Sequence, residues 1–150
     1  MSKRPLRISL ATLTLATNVL AGCANRPMPP AADTTLYQRL GGKPAIAAVV
    51  DDAIANAAAD PRINQRFVGT DIARLKAALV EFLCDRSGGP CTYRGRNMSD
   101  THEGMKIRAD EFDALVEDLV RSLDTYKVPA RERGELLTLL GRTRNAIIEH

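Results

Sequence analysis

Ile46, Val49, Val50, Ala53, Ile54 and Ala57 return at intervals of three and four, the period of a helix with one apolar face and not that of a strand. The spacing recurs three more times: in Ile72, Leu75, Leu79, Phe82 and Leu83, in Phe112, Leu115, Val116, Leu119, Val120 and Leu123, and in Leu136, Leu137, Leu140 and Ile147. No stretch shows the alternation and β-branched content of a strand. The fold class is therefore expected to be all-α. With 150 residues, 45% of them hydrophobic, one small domain with a packed core should result.

Breakers set the expected boundaries. A short helix over Leu36 to Leu40 should stop at Gly41-Gly42, and Pro44 stands where a first-turn proline opens the next helix. Asp60-Pro61 ends that second helix, Ile63 and Phe67 follow in a short turn, and Thr70 or Asp71 can cap the helix carrying Ile72. From Asp85 to Asn97 three glycines, one proline and several polar residues predict a long loop. Asp110 is the expected cap of the third long helix, and Pro129 opens the fourth, which should run through Ile147.

Residues 1–22 differ from the rest. Lys3, Arg4 and Arg7 precede an apolar run, Ile8 to Ala21, that is too short and too polar to span a membrane and fits a secretory signal peptide. The run ends in Leu20-Ala21-Gly22-Cys23, which resembles the lipobox of bacterial lipoproteins and implies a membrane anchor through lipidated Cys23. Ala24 in the next position points to the outer membrane, facing the periplasm. Residues 23–34, with Pro27, Pro29 and Pro30, read as a tether, which leaves 35–150 as the folded domain. Removing the three basic residues of the first segment, and no acidic one, would leave 18 Lys and Arg against 18 Asp and Glu. A near-neutral mature chain gives no reason to propose nucleic acid as a partner.

The same address leaves Cys84 and Cys91 together in an oxidising compartment. The loop Ser87-Gly88-Gly89-Pro90 between them could turn back far enough for a disulfide. A redox-active pair is the weaker alternative, since Cys-x-x-Cys spacing is lacking, and metal binding by two thiols is weaker still.

His102 is the only histidine before His150, and it comes directly after the breaker-rich loop. A neutral imidazole is a good ligand for iron, and a single axial histidine holds haem in an otherwise apolar pocket. Taken by itself, His102 reads first as a surface or capping residue at a helix start.

Several motifs meet at this point. Leu36-Tyr37-Gln38-Arg39-Leu40-Gly41-Gly42, Asp60-Pro61-Arg62-Ile63-Asn64-Gln65-Arg66-Phe67, the run from Leu83 through Gly88-Gly89-Pro90 to Tyr93-Arg94-Gly95-Arg96-Asn97-Met98, and Val128-Pro129 keep their spacing without a gap. Together they resemble the group I truncated haemoglobins over essentially the whole domain. The resemblance implies a two-over-two helical sandwich enclosing haem b, with His102 as the iron ligand. It also implies that Phe67 stacks on the porphyrin, that Leu75, Leu79 and Phe82 line the distal side, and that Met98, Phe112, Leu115 and Leu119 pack on the proximal side. Lys76 stands where relatives can pair with a haem propionate. Plain core packing is the alternative for each apolar residue.

The chain departs from the family at the distal side, where relatives place a tyrosine late in the second helix and often a glutamine on the distal helix. Here those positions are Ile54 and Leu79. A hydrogen bond to a charged acceptor contributes about 1.5–3 kcal/mol. Dioxygen deprived of it should leave about ten- to a hundredfold faster. The expected function is that of an envelope-tethered haem globin binding a diatomic gas: dioxygen, nitric oxide or carbon monoxide. Nitric oxide dioxygenation would add an unidentified reductase as partner and is disfavoured by the apolar distal side. The alternative is a haem-free helical envelope lipoprotein with a structural or partner-binding role.

Overall fold

The computed structural model describes residues 34–148. The expected signal peptide, Cys23 and the tether as far as residue 33 lie outside the described residues. Six α-helices follow in order: α1 (Leu36–Arg39), α2 (Gly42–Ala59), α3 (Ile72–Arg86), α4 (Met98–His102), α5 (Ala109–Thr125) and α6 (Ala130–Gly141). Short 3-10 turns stand at Asn64–Phe67 and Arg144–Ala146. Among the described residues no strand forms, and one isolated bridge pairs Ile107 with Ile148. No described helix is long and apolar enough to cross a membrane.

Local chemistry accounts for most boundaries. Thr35 and Gln38 exchange side-chain and backbone hydrogen bonds in a capping box that starts α1. Gly41 and Gly42 have φ of +91° and +75°, and a Cβ on Gly41 would lie 3.0 Å from that of Ala45, so only glycine makes the reversal into α2. Pro44 falls in the first turn of α2, where its missing N–H costs nothing. The Asp71 carboxylate accepts the Arg74 N–H at 3.0 Å and caps α3.

Two expectations are corrected. Asp110 is not the cap of α5. The N-cap is Arg108, whose N–H donates to the Glu111 carboxylate at 2.9 Å, and Asp110 sits inside the first turn. The last long helix does not run through Ile147. The Thr143 N–H and hydroxyl both donate to the Leu140 carbonyl, at 2.9 and 2.7 Å, and α6 closes at Gly141. His102, for which a place at a helix start was the alternative reading, is the last residue of α4.

α2 packs against both α3 and α5, and α5 packs against α6, which gives the two-over-two sandwich. The main core joins Ile46, Val49, Val50 and Ile54 of α2 to Val80, Phe82 and Leu83 of α3, Leu123 of α5 and Leu136 of α6. A smaller cluster brings Ala57 against Ile63 and Ala114. Burial of this surface supplies the driving force for the fold.

A polar seam crosses the α2–α5 contact. The Ser122 hydroxyl donates to Asp52 at 2.7 Å, and the Asn56 amide donates to Ser122 at 3.0 Å. Asp118, fully buried on α5, pairs with Arg121 through one carboxylate oxygen, and its Oδ2 has no hydrogen-bond partner. Burial pushes the Asp118 carboxyl above its ordinary value of 3.8. The unfolded chain therefore releases this proton at lower pH than the folded one, so Asp118 contributes a loss of stability that grows as pH rises above that value. Thermal melts of Asp118→Asn and its parent across the range from acid to neutral should show the variant gaining relative to the parent as pH rises. A variant that instead loses ground toward neutral pH would mean that the fold requires the charge.

Candidate functional site

α4 is too short to hold its shape unaided, and side chains at its N-terminus stabilise it. Asn97 accepts the Asp100 N–H at 2.8 Å, and the Thr101 hydroxyl donates to the Asn97 carbonyl at 2.7 Å. One turn on, His102 Nδ1 lies 2.7 Å from the Met98 carbonyl oxygen. A carbonyl oxygen can only accept, so Nδ1 carries the proton and the neutral ring presents the lone pair of Nε2. A second hydrogen bond of this kind orients a histidine and raises its basicity as a metal ligand.

His102 lines a cavity of about 240 Å³. Ile54 comes from α2, Phe67 from the first 3-10 turn, Leu75 and Leu79 from α3, and Phe112 and Leu115 from α5. Ile63, Met105, Ile107 and Ile147 extend the apolar lining, while Arg66, Thr70, Thr101 and Glu111 contribute polar groups. Met105 and Leu115 are 38% and 37% exposed, so the cavity opens to solvent beside them. The Arg66 guanidinium beside Glu111, with the Arg108 N–H, holds the Glu111 carboxyl below the usual carboxylate range. The two charges in the lining thus face each other as an ion pair.

Phe67, Leu75, Leu79, His102, Phe112 and Leu115 of the sequence-derived set meet in this lining. Lys76, Phe82, Met98 and Leu119 do not. Lys76 pairs with Asp51 of α2, Nζ to Oδ1 at 2.5 Å. Phe82 shares the stripe of Leu75 and Leu79 but stands three residues, about 4.5 Å of helix rise, beyond Leu79. There it meets the Tyr93 ring edge-on at 5.3 Å. Met98 and Phe82 line a separate cleft with Tyr93 and Leu139, and what Met98 gives His102 is its backbone carbonyl. Leu119 lies one turn beyond Leu115 and packs against the main core.

Sequence reasoning did not single out Arg66, Thr70, Thr101, Met105, Ile107, Glu111 or Ile147 as site residues. Ile107 and Ile147 arrive through the chain's closure at the Ile107–Ile148 bridge, and Arg66 meets Glu111 across 45 positions. No local pattern announces either meeting.

The loop leading to α4 is held at its origin. Cys84 and Cys91 are joined, with Cα atoms 5.7 Å apart. A Cβ on Gly89 inside the bridged loop would fall 2.6 Å from the Tyr37 ring and 2.7 Å from the Cys84 carbonyl oxygen. Closing so short a loop contributes about 2–3 kcal/mol in the chain-entropy picture.

Among the described residues, no group of three or more His, Cys, Asp or Glu side chains could hold a metal ion. The cavity beside His102 has room and apolar walls for an organic group.

A two-over-two helical sandwich around an apolar cavity, with one histidine oriented by a backbone carbonyl, is the plan of a globin. The bacterial-like globin family matches residues 35–149. A group 1 truncated hemoglobin GlbN from Nostoc sp. (strain MUN 8820) is 35% identical over 115 residues, which cover 77% of this chain and 98% of that protein. Among solved structures, the truncated hemoglobin of Tetrahymena pyriformis in its Fe(III) form superposes with a TM-score of 0.75 at 31% identity, over 78% of this chain and all of that one. The 2/2 hemoglobin of Synechococcus sp. PCC 7002, solved in the cyanomet state with covalently attached heme, gives 0.72 at 31% identity, over 77% and 98% of the two chains. The chain belongs to the bacterial-like globins and, within them, to the group 1 truncated haemoglobins.

Proposed function

We propose that the cavity holds haem b, that His102 Nε2 is its axial ligand, and that the protein binds a diatomic gas. The observation that carries this reading is the His102 Nδ1–Met98 carbonyl bond, which leaves Nε2 available at an apolar cavity in a group 1 truncated haemoglobin chain. Haem would supply the gas-binding iron together with that iron's other ligands, so one histidine suffices where a bare ion would need a cluster. Phe67, Leu75 and Leu79 would exclude water, and Phe112 and Leu115 would support the face that His102 approaches. Lys76, engaged with Asp51, could reach a propionate only by giving up that pair.

Ile54, Leu75 and Leu79 offer no hydrogen-bond donor to a ligand, which favours carbon monoxide and nitric oxide over long-held dioxygen. In the same reading the domain is anchored through lipidated Cys23 at the outer membrane, facing the periplasm. That part rests on the basic start, the apolar run and Leu20-Ala21-Gly22-Cys23.

Three outcomes are expected. The protein supplied with haem should show a Soret band, and His102→Ala should lose stoichiometric haem while keeping its helical circular dichroism; a colourless parent would favour the haem-free reading. Ile54→Tyr should slow dioxygen release about ten- to a hundredfold and change carbon monoxide release much less. Equal effects on both gases would indicate a steric change, not a new donor. Finally, cells fed a labelled fatty acid should label the parent chain and not Cys23→Ala, and an unlabelled parent would remove the anchor from the proposal.

A further inference from the structure

One side chain spans the elements that form the proposed haem site. Arg66, beside Phe67 in the first 3-10 turn, donates from Nε to Glu111 Oε1 at 2.9 Å and from Nη2 to Glu111 Oε2 at 2.7 Å. Its Nη1 donates to the Met105 carbonyl at 2.8 Å, and Nη2 also reaches the Lys106 carbonyl at 3.4 Å. Glu111 is buried and anchored in turn by the Arg108 N–H. The Met105 N–H donates to the His102 carbonyl at 3.0 Å. A single guanidinium therefore joins the turn bearing Phe67, the start of α5 and the turn by which the chain leaves His102.

That last turn is strained. Lys106 has φ of +49°, in the left-handed region that side chains with a Cβ avoid, two residues after Gly104 at +76°. The Met105 and Lys106 carbonyls that flank the strained peptide both lie within reach of Arg66. A planar guanidinium can grip a carboxylate side-on and still donate to two carbonyls, whereas a lysine ammonium offers one charge centre and no fork.

We propose that Arg66 is a positioning residue for the axial histidine: by holding the Met105–Lys106 turn in its left-handed form, it sets where His102 stands in the cavity. The role rests on the haem reading above, and Arg66 exerts it without contact with the iron.

The test uses the full chain loaded with haem, in five forms: parent, Arg66→Ala, Arg66→Lys, Lys106→Gly, and Arg66→Ala combined with Lys106→Gly. The readouts are the rate of haem transfer to an excess of an acceptor apoglobin and the iron–histidine stretching band of the ferrous protein. Arg66→Ala and Arg66→Lys should each speed haem loss about 10- to 100-fold and shift the stretching band, as losses of outer partners of metal ligands do. Lys106→Gly should change little by itself and should restore much of the loss in the double variant, because glycine takes the left-handed turn without strain. Where Arg66→Ala does not fold, Arg66→Lys carries the same comparison. An unmoved band, or a double variant no better than Arg66→Ala, would reduce Arg66 to a general stabiliser and overturn the proposal. A parent that takes up no haem would overturn the haem reading and this role together, while a normal parent with indifferent Arg66 variants overturns the role alone.

Discussion

Everything in this domain depends on α2 being packed against two long helices at once. One broad apolar face of α2, made of Ile46, Val49, Val50, Ala53, Ile54 and Ala57, serves both α3 and α5. The alanines matter as much as the larger residues. Ala57 and Ala114 are almost wholly buried against Ile63, and their small side chains let α2 and α5 approach closely. With that crossing in place, α3 and α6 can each cover a remaining face.

The cavity follows from the same geometry. Close packing at Ala57 and in the main core leaves the space between them to be lined by longer side chains, among them Ile54, Leu75, Leu79 and Phe112. Helices supply these apolar walls because a helix can bury a stripe without leaving backbone groups unpaired. Polar groups enter the lining from turns, loops and helix ends: Arg66, Thr70 and Thr101 all stand there, and Glu111 lies in the first turn of α5. The division suits a ligand that is apolar over most of its area and polar at one edge.

Charge is handled differently at the start and in the middle of α5. At its start, Glu111 is buried but receives donors from Arg66 and Arg108, so the carboxylate stays charged. Further on, Asp118 is more deeply buried, with one oxygen paired to Arg121 and the other unpartnered, and its carboxyl is pushed the opposite way. Hydrogen bonds that favour the charged form win at Glu111, and desolvation wins at Asp118. The first arrangement ties cavity elements together, and the second places a cost inside the helix crossing.

Periodicity and breakers by themselves determined the all-α class, the four long helices and the glycine reversal before α2. The cap of α3 was narrowed to Thr70 or Asp71, neighbours in the chain, and the structure decided for Asp71. Spacing along a helix shows which face is apolar but not where along the axis a cavity begins and ends. That is why spacing could not tell that Leu79 and Leu115 line this cavity while Phe82 and Leu119, on the same stripes, do not. The union of Cys84 with Cys91 was open in the sequence and closed by the path of the loop. The Arg66–Glu111 pair, the arrival of Ile147 beside His102 and the paired state of Lys76 had no local signature at all. They join residues distant in the chain, and only the packing of α2 against α3 and α5 brings such residues within reach of one another.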